Sequence, residues 1–367
     1  MEFLTKIRNL SFLTKSHPTT PSHLQVQCQD ILNGRYRMLE RLGQGTEATV
    51  WLAQDITTYK FDRPSNKFAI KVLTDFVTSL QGTHAFELRV MERISRLLQT
   101  HPGVRHLLSL HNHFSVRGPQ GDHLCIVTEA LRPSLLDLQS STEGYRLPPT
   151  VVKHISHQIL SAVQALHDCD IVHTDIKMDN VLFRVNDNGF DSQRVCEDDN
   201  VVLVDYGTAM PLEVQSDRLV QPEALRSPEV LLGCRWGTKA DIWNVGCVIF
   251  ELLTGHSLFK PRPIATFTAD QYHLARIFGT LVDNNEFERV AAYFRSSGRY
   301  YKDFFNDRDG LRLRIGDAQR ESLQTILEIY NVHDASLLDL LTAMLQVHPD
   351  DRPSAKELQN FAWFDTK

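Results

Sequence analysis

Ile171-Val172-His173-Thr174-Asp175-Ile176-Lys177-Met178-Asp179-Asn180-Val181-Leu182 is a polar, irregular stretch held between apolar flanks. It offers a carboxylate at Asp175, an ammonium two residues on at Lys177 and an amide three further at Asn180. Phosphoryl transfer asks for these groups: a carboxylate to orient an attacking hydroxyl, a cation for the moving charge and an oxygen ligand for Mg2+. A second carboxylate follows at the expected place. Val202-Leu203-Val204-Asp205-Tyr206-Gly207 is an apolar strand that delivers Asp205 beside a glycine. Magnesium takes one or two carboxylates together with phosphate oxygens, so Asp205 and Asn180 suffice.

Upstream, Leu42-Gly43-Gln44-Gly45-Thr46-Glu47-Ala48-Thr49-Val50 reads as two strands joined by a glycine-bearing turn. Glycines leave backbone N–H groups free to approach phosphate oxygens, and a plain hairpin turn is the other reading of the same pattern. Ala69-Ile70-Lys71 lies in the next strand-like run, Phe68–Leu73. A lysine inside an apolar strand is costly unless it is paired, an edge lysine facing water being the other reading. The helical spacing of Phe86, Val90, Met91, Ile94, Leu97 and Leu98 between Thr83 and Gln99 offers Glu87 and Glu92. Glu87 is preferred, because the residue four positions on is the apolar Met91.

The 367 residues carry 42% hydrophobic and 23% charged residues and a formal net charge of −6. That excludes global disorder and an overall basic footprint for nucleic acid, so no direct nucleic-acid partner is expected. The longest apolar run, Val245–Leu253, contains Glu251 and falls far short of the ~20 residues a membrane helix needs. Six scattered cysteines without a Cys-x-x-Cys pair point to a reduced intracellular protein. Short strands with one helical segment run from Tyr36 to about Leu131, and helical patterns such as Thr150–His167 dominate from Arg132. The expected plan is α+β and two-lobed: 35–131, then 132–367. Residues 1–34 read as a flexible N-terminal extension, with an organelle transit peptide as the alternative. Asn186–Asn200 reads as an exposed loop.

Taken in order, Gly43-x-Gly45, Lys71, Glu87, His173-x-Asp175-x-Lys177-x-x-Asn180, Asp205-x-Gly207, Ser227-Pro228-Glu229, Asp241-x-Trp243-x-x-Gly246 and Asp351-Arg352-Pro353 resemble the protein-kinase signature. The resemblance covers about Tyr36 to Phe364. Small-molecule kinases share the His-x-Asp-x-x-x-x-Asn pattern, but the last three elements are similar to protein kinases specifically. Within these, His173-Thr174-Asp175-Ile176-Lys177, Val50-Trp51-Leu52-Ala53, Leu225–Gly233 and Tyr300–Phe305 resemble the SR-protein kinases, especially their fungal members, which phosphorylate Arg/Ser-rich splicing factors.

The resemblance implies the bilobal kinase fold, ATP and Mg2+ as cofactors, and protein substrates of the Arg/Ser-rich class. It implies a monomer in the cytoplasm or nucleus, with mitochondrial targeting by residues 1–34 left open. Asp175 would orient the hydroxyl and Lys177 would neutralise γ-phosphate charge. Asn180 and Asp205 would hold the metal, and Lys71, fixed by Glu87, the α- and β-phosphates. Leu42, Gly43, Gln44 and Gly45 would cover the phosphates. Adenine would lie between Val50 and Ala69 on one side and Leu182 on the other, bonded to the backbone of Glu129 and Leu131, with Thr128 as gatekeeper. Glu229 and Arg352 would form a buried ion pair, and Asp241 would brace the catalytic loop.

Three features depart from the pattern. Thr174 replaces a phosphate-reading arginine, which predicts activity without phosphorylation of the activation loop. Pro222 replaces a threonine that contacts the catalytic loop. Two acids that grip basic substrates in SR-protein kinases fall at Tyr272 and Gly279, leaving Asp270 nearby. The competing reading is a kinase-like scaffold that binds nucleotide and partners without turnover.

Overall fold

The computed structural model describes residues 22–57, 66–97, 101–184, 200–214, 218–314, 316 and 320–365. The loop expected at Asn186–Asn200 lies outside them except for Asn200. The chain divides into two compact units. The first takes in residues to 99 together with 108–132, and the second takes in 100–107 and 133–367.

The first unit is built on β1 (Ile31–Leu32), β2 (Tyr36–Gln44), β3 (Ala48–Asp55), β4 (Lys67–Leu73), β5 (Leu110–Arg117) and β6 (Asp122–Glu129). They form one antiparallel sheet in the order β1-β2-β3-β4-β6-β5. Alternation sorts its two faces. Trp51, Ala53, Phe68, Ile70 and Val72 join Tyr36, Met38, Cys125 and Val127 in one buried cluster. Val50, Ala69 and Lys71 alternate with them and are half-buried. Besides α2 (Glu87–Leu97), the unit has a short helix α1 (Asp75–Ser79), capped by Thr74, where a single helical segment was expected.

The described part of the expected extension is already packed on the first unit. Of residues 22–34, Ile31–Leu32 form the edge strand β1, and the rest runs as irregular chain beside the sheet rather than as a loose arm. Asn33 and Gly34 take φ of 51° and 62°, and the Arg35 N–H donates to the Leu32 carbonyl (3.1 Å). That closes the left-handed turn Asn-Gly favours and brings Ile31–Leu32 back along β2. Leu24, Val26 and Leu32 then pack against the buried cluster, and Ser22 N–H donates to Asp75 (2.8 Å).

In the second unit come α3 (Leu135–Ser141), α4 (Pro149–His167), β7 (Ile171–Val172), β8 (Val181–Arg184), β9 (Asn200–Leu203), β10 (Met210–Pro211), α5 (Pro228–Leu231), α6 (Thr238–Thr254) and α7 (Ala269–Leu281). They are followed by α8 (Asn284–Ser297), α9 (Tyr301–Phe304), α10 (Leu323–Ile329), α11 (Ala335–Met344), α12 (Ala355–Leu358) and α13 (Ala362–Asp365). Its core is α4 with α6. Ile155, Ile159, Val163 and Leu166 are buried along α4, and α6 is buried on nearly every side from Ala240 to Leu253. That all-round burial explains the apolar run at Val245–Leu253. Gly246 sits where a Cβ would come within 3.1 Å of Met344 Cβ and Leu345, so α6 meets the end of α11 at a glycine. Two short antiparallel pairs, β7–β10 and β8–β9, hold the ends of the polar stretch that opened the sequence analysis. Among the described residues no helix is long and apolar enough to cross a membrane.

Candidate functional site

Each unit positions its own share of the candidate residues. In the first, the β2–β3 hairpin pairs Gly43 with Val50 and Gln44 with Thr49, and the Gly45 N–H closes the tip on the Ala48 carbonyl (2.9 Å). Residues 43–46 are exposed and Leu42 is half-buried. Neither glycine takes a positive φ. A Cβ at Gly43 would meet nothing within 4 Å, and one at Gly45 would only touch the Ala48 oxygen at 3.9 Å. The chain itself therefore makes no demand for glycine here. The exposed backbone of this tip is open to a group approaching from outside.

Lys71 pairs with Val50 across the sheet, and its Nζ donates to Glu87 Oε1 at 2.6 Å. Both side chains are largely shielded, at 22% and 6% exposure. This decides between the two candidate acids. Glu92 lies five residues further, about 140° around the helix, where it pairs with exposed Arg96 (3.1 Å) and meets His113 at 3.7 Å. On β6, Thr128 is buried opposite Ala69 and Glu129 pairs with Phe68. Leu131 is buried just beyond the strand.

In the second unit the loop between β7 and β8 is held from below. Asp241, in the first turn of α6 and fully buried, accepts the N–H groups of His173 (2.8 Å) and Thr174 (2.9 Å) and also meets His167 Nε2 (2.9 Å). It thus braces the residues directly before Asp175, as expected. Asn180 Nδ2 donates to both the backbone oxygen (2.8 Å) and Oδ2 (2.9 Å) of Asp175. Lys177 Nζ lies 3.3 Å from the same Oδ2. His173 faces the Val204 carbonyl through Nε2 (3.0 Å) and receives the Asp175 N–H at Nδ1 (3.3 Å), which puts its proton on Nε2.

Asp205 follows Val204 at φ 64°, and the Val204 N–H donates to the Asn180 carbonyl (2.9 Å). One hydrogen-bonded unit therefore joins Asp175, Lys177 and Asn180, with Asp205 tied to it through Val204. Half-buried Leu182 pairs with Val202 on the β8–β9 ladder. Burial pushes the Asp175 carboxyl above the ordinary aspartate value, opposed by Lys177 and reinforced by Asp205. Burial works against the Lys177 charge, but Asp175 outweighs it and holds the ammonium above the usual lysine value.

The surrounding supports are also in place. Glu229 and Arg352 form a bidentate pair (2.7 and 2.8 Å) at 1% and 0% exposure. Beside Pro222, the buried Gln221 side chain donates to the Ala240 carbonyl and accepts from Ser227, all at 2.9–3.0 Å. No single-residue signal in the sequence marked Gln221, because its partners are Ser227, just before α5, and Ala240 on α6. The acid that remains near Tyr272 and Gly279, Asp270, faces buried Arg226 at 3.4 Å with its side chain 40% exposed. Burial lowers the Arg226 pKa, and Asp270 and Glu223 oppose that shift.

The protein kinase domain family model matches residues 36–364. The chain is 28% identical to protein kinase dsk1 of Schizosaccharomyces pombe, over 90% of this chain and 80% of that protein. It is 27% identical to the serine/threonine-protein kinase AFC3 of Arabidopsis thaliana, over 93% and 85%. A crystal structure of a kinase domain superposes with a TM-score of 0.71 over 93% of this chain and 98% of that one, at 21% identity, a likeness of fold.

Proposed function

The chain belongs to the protein kinase family, and from that premise we propose that it moves the γ-phosphoryl group of ATP, with Mg2+, onto serine and threonine hydroxyls of Arg/Ser-rich proteins. As a protein kinase it takes ATP, a divalent metal and protein substrates, and its relatives are named serine/threonine kinases. The observation that carries the reading is the convergence of Lys177 and Asn180 on the Asp175 carboxylate.

Asp175 has a fixed direction and accepts the hydrogen bond of the incoming hydroxyl. Lys177, already beside that carboxylate, meets the charge of the transferring group. The Asn180 amide gives its nitrogen to Asp175, which leaves Oδ1 for a cation; Oδ1 with Asp205 makes the hard oxygen set that suits Mg2+. The metal would neutralise phosphate charge when bound. Lys71, aimed by Glu87, takes the α- and β-phosphates, under the bare backbone of residues 42–45. In the first unit Val50 and Ala69 offer apolar surface to adenine, and the backbone of Glu129 and Leu131 offers it hydrogen bonds. Most of the catalysis in this scheme is positioning and charge stabilisation.

Support for the Arg/Ser class comes from the resemblance at His173–Lys177 and Leu225–Gly233. Tyr272 and Gly279 stand where a docking helix of the family type has acids, and the remaining Asp270 faces Arg226. The selectivity is therefore assigned to contacts near the phosphoacceptor.

The test is phosphate transfer from labelled ATP with Mg2+ to an Arg/Ser-repeat peptide and to a Ser/Pro-rich peptide, with D175A as control. Label on the Arg/Ser peptide that D175A loses is the expected result. Label on the Ser/Pro peptide alone removes the substrate class and keeps the chemistry. Tight ATP binding without label on either peptide favours the scaffold reading.

A further inference from the structure

The chain as a whole carries a formal charge of −6, yet one stretch of the second unit has the opposite sign. Between positions 295 and 314 stand Arg295, Arg299, Lys302, Arg308, Arg312 and Arg314, against Asp303, Asp307 and Asp309. All six cations are exposed. Asp309 is engaged locally, by Arg295 and by the Tyr301 hydroxyl, which donates to it (3.0 Å). Exposed Asp303 and Asp307 are the other carboxylates of the stretch.

The cations stand on a built turn. After α9, Phe305 bridges to Leu311, and both are buried. Asn306 closes the chain between them. Its N–H donates to the Gly310 carbonyl (2.8 Å), and its Oδ1 accepts the N–H groups of Arg308 (2.9 Å) and Gly310 (3.2 Å). The Arg312 N–H donates to the Phe304 carbonyl (2.8 Å) and its Nε to the Lys302 carbonyl (2.8 Å). The second contact uses Nε and leaves the outer Nη edge of the guanidinium, an edge that grips phosphate through two parallel bonds. Arg314 is seated as well. A Cβ added to Gly310 would lie 2.7 Å from Arg314 Nη2, so the guanidinium lies over backbone that glycine leaves bare. Both arginines are therefore placed before a partner arrives, which lowers the ordering cost of binding.

We propose that the turn 302–314 is a docking surface for phosphoserine-bearing Arg/Ser chains, the product of the reaction above. The choice of partner rests on the Arg/Ser reading, while the surface rests on its own charge and geometry. A phosphoserine brings nearly two negative charges and strong acceptor oxygens. Arg312 and Arg314 answer it in charge and in shape, with Lys302 and Arg308 beside them. An unmodified Arg/Ser chain carries positive charge alone, and this surface repels it. A repeat offers phosphates to several cations at once, so its affinity grows as more serines are modified. The surface thus separates product from substrate by the sign of the charge.

The test is fluorescence anisotropy on the full chain with an Arg/Ser-repeat peptide, the same peptide synthesised with every serine phosphorylated, and a single-stranded RNA. R312A/R314A should weaken phosphopeptide binding by roughly tenfold or more. It should leave the affinity and kcat for the unmodified peptide, and the melting temperature, near wild type. R312K/R314K keeps the charge without the fork and should recover part of the loss. K302E/R308E changes exposed positions and should also weaken the phosphopeptide, which covers the case of a misfolded arginine variant. Phosphopeptide affinity unchanged in both double variants would overturn the docking surface. So would an equal loss for the unmodified peptide, which would make the contact indifferent to phosphate. RNA bound more tightly than the phosphopeptide, and released by the same substitutions, would make this a nucleic-acid surface instead. A wild-type protein that labels neither test peptide ends the Arg/Ser reading, and the synthetic phosphopeptide still decides the surface.

Discussion

Lys71 has two glutamates on the following helix within chain reach, and it takes Glu87 at 2.6 Å. The choice was legible from helical phase alone, since Glu87 shares its face with buried Met91 while Glu92 points toward Arg96. Removing the Glu87 charge leaves the lysine without its aim. E87Q should raise the KM for ATP and lower kcat/KM by ~10–100-fold with the fold retained, measured by initial rates and thermal melting. Unchanged kinetics would show that Lys71 holds its place without the pair. The types of residue around Asp175 were equally legible, because their spacing is local. What spacing does not carry is conformation and cross-chain contact. The φ of Thr174, the grip of Asp241 from 67 residues away and the Gln221 bonds to α6 arise only when distant segments meet.

At the scale of elements, the strand before Asp205 ends two residues short of it, at Leu203, and the strands and the helix that carry Val50, Lys71 and Glu87 follow the pattern of the sequence closely. The start of the first unit did not. Its composition suggested a loose arm, yet Ile31-Leu32-Asn33-Gly34 already holds a hairpin signal, two apolar residues and the dipeptide that prefers the left-handed turn. Tertiary packing then draws in Leu24 and Val26, which have no periodic pattern of their own to announce them. The turn makes the position testable. G34V places a β-branched side chain at φ 62°, where the space is open and only the backbone objects. It should cost on the order of 1–2 kcal/mol, read from a denaturant midpoint, with peptide phosphorylation under native conditions retained. A neutral G34V would mean that β1 adds nothing to the unit.

For the molecule as a whole, the largest single dependence runs through Glu229 and Arg352. The pair is fully buried, bidentate and close to Trp243, whose ring lies 5.0 Å from the guanidinium. Arg352 also donates to the carbonyls of Gln346 and Lys239. R352A leaves a carboxylate buried without a partner and should cost about 3–5 kcal/mol. R352K restores one charge but not the fork, so it should recover only part of the stability, as followed by unfolding in denaturant. An R352A chain as stable as wild type would show that water reaches Glu229. The two partners lie 123 positions apart. At synthesis rates of about 5–20 residues per second, the glutamate waits roughly 6–25 seconds for its arginine to be made. During that interval the carboxylate stays hydrated and α5 has no reason to settle. A premature stop codon anywhere between these positions therefore yields a chain that contains the whole catalytic loop and Glu229 but lacks the arginine that answers its charge.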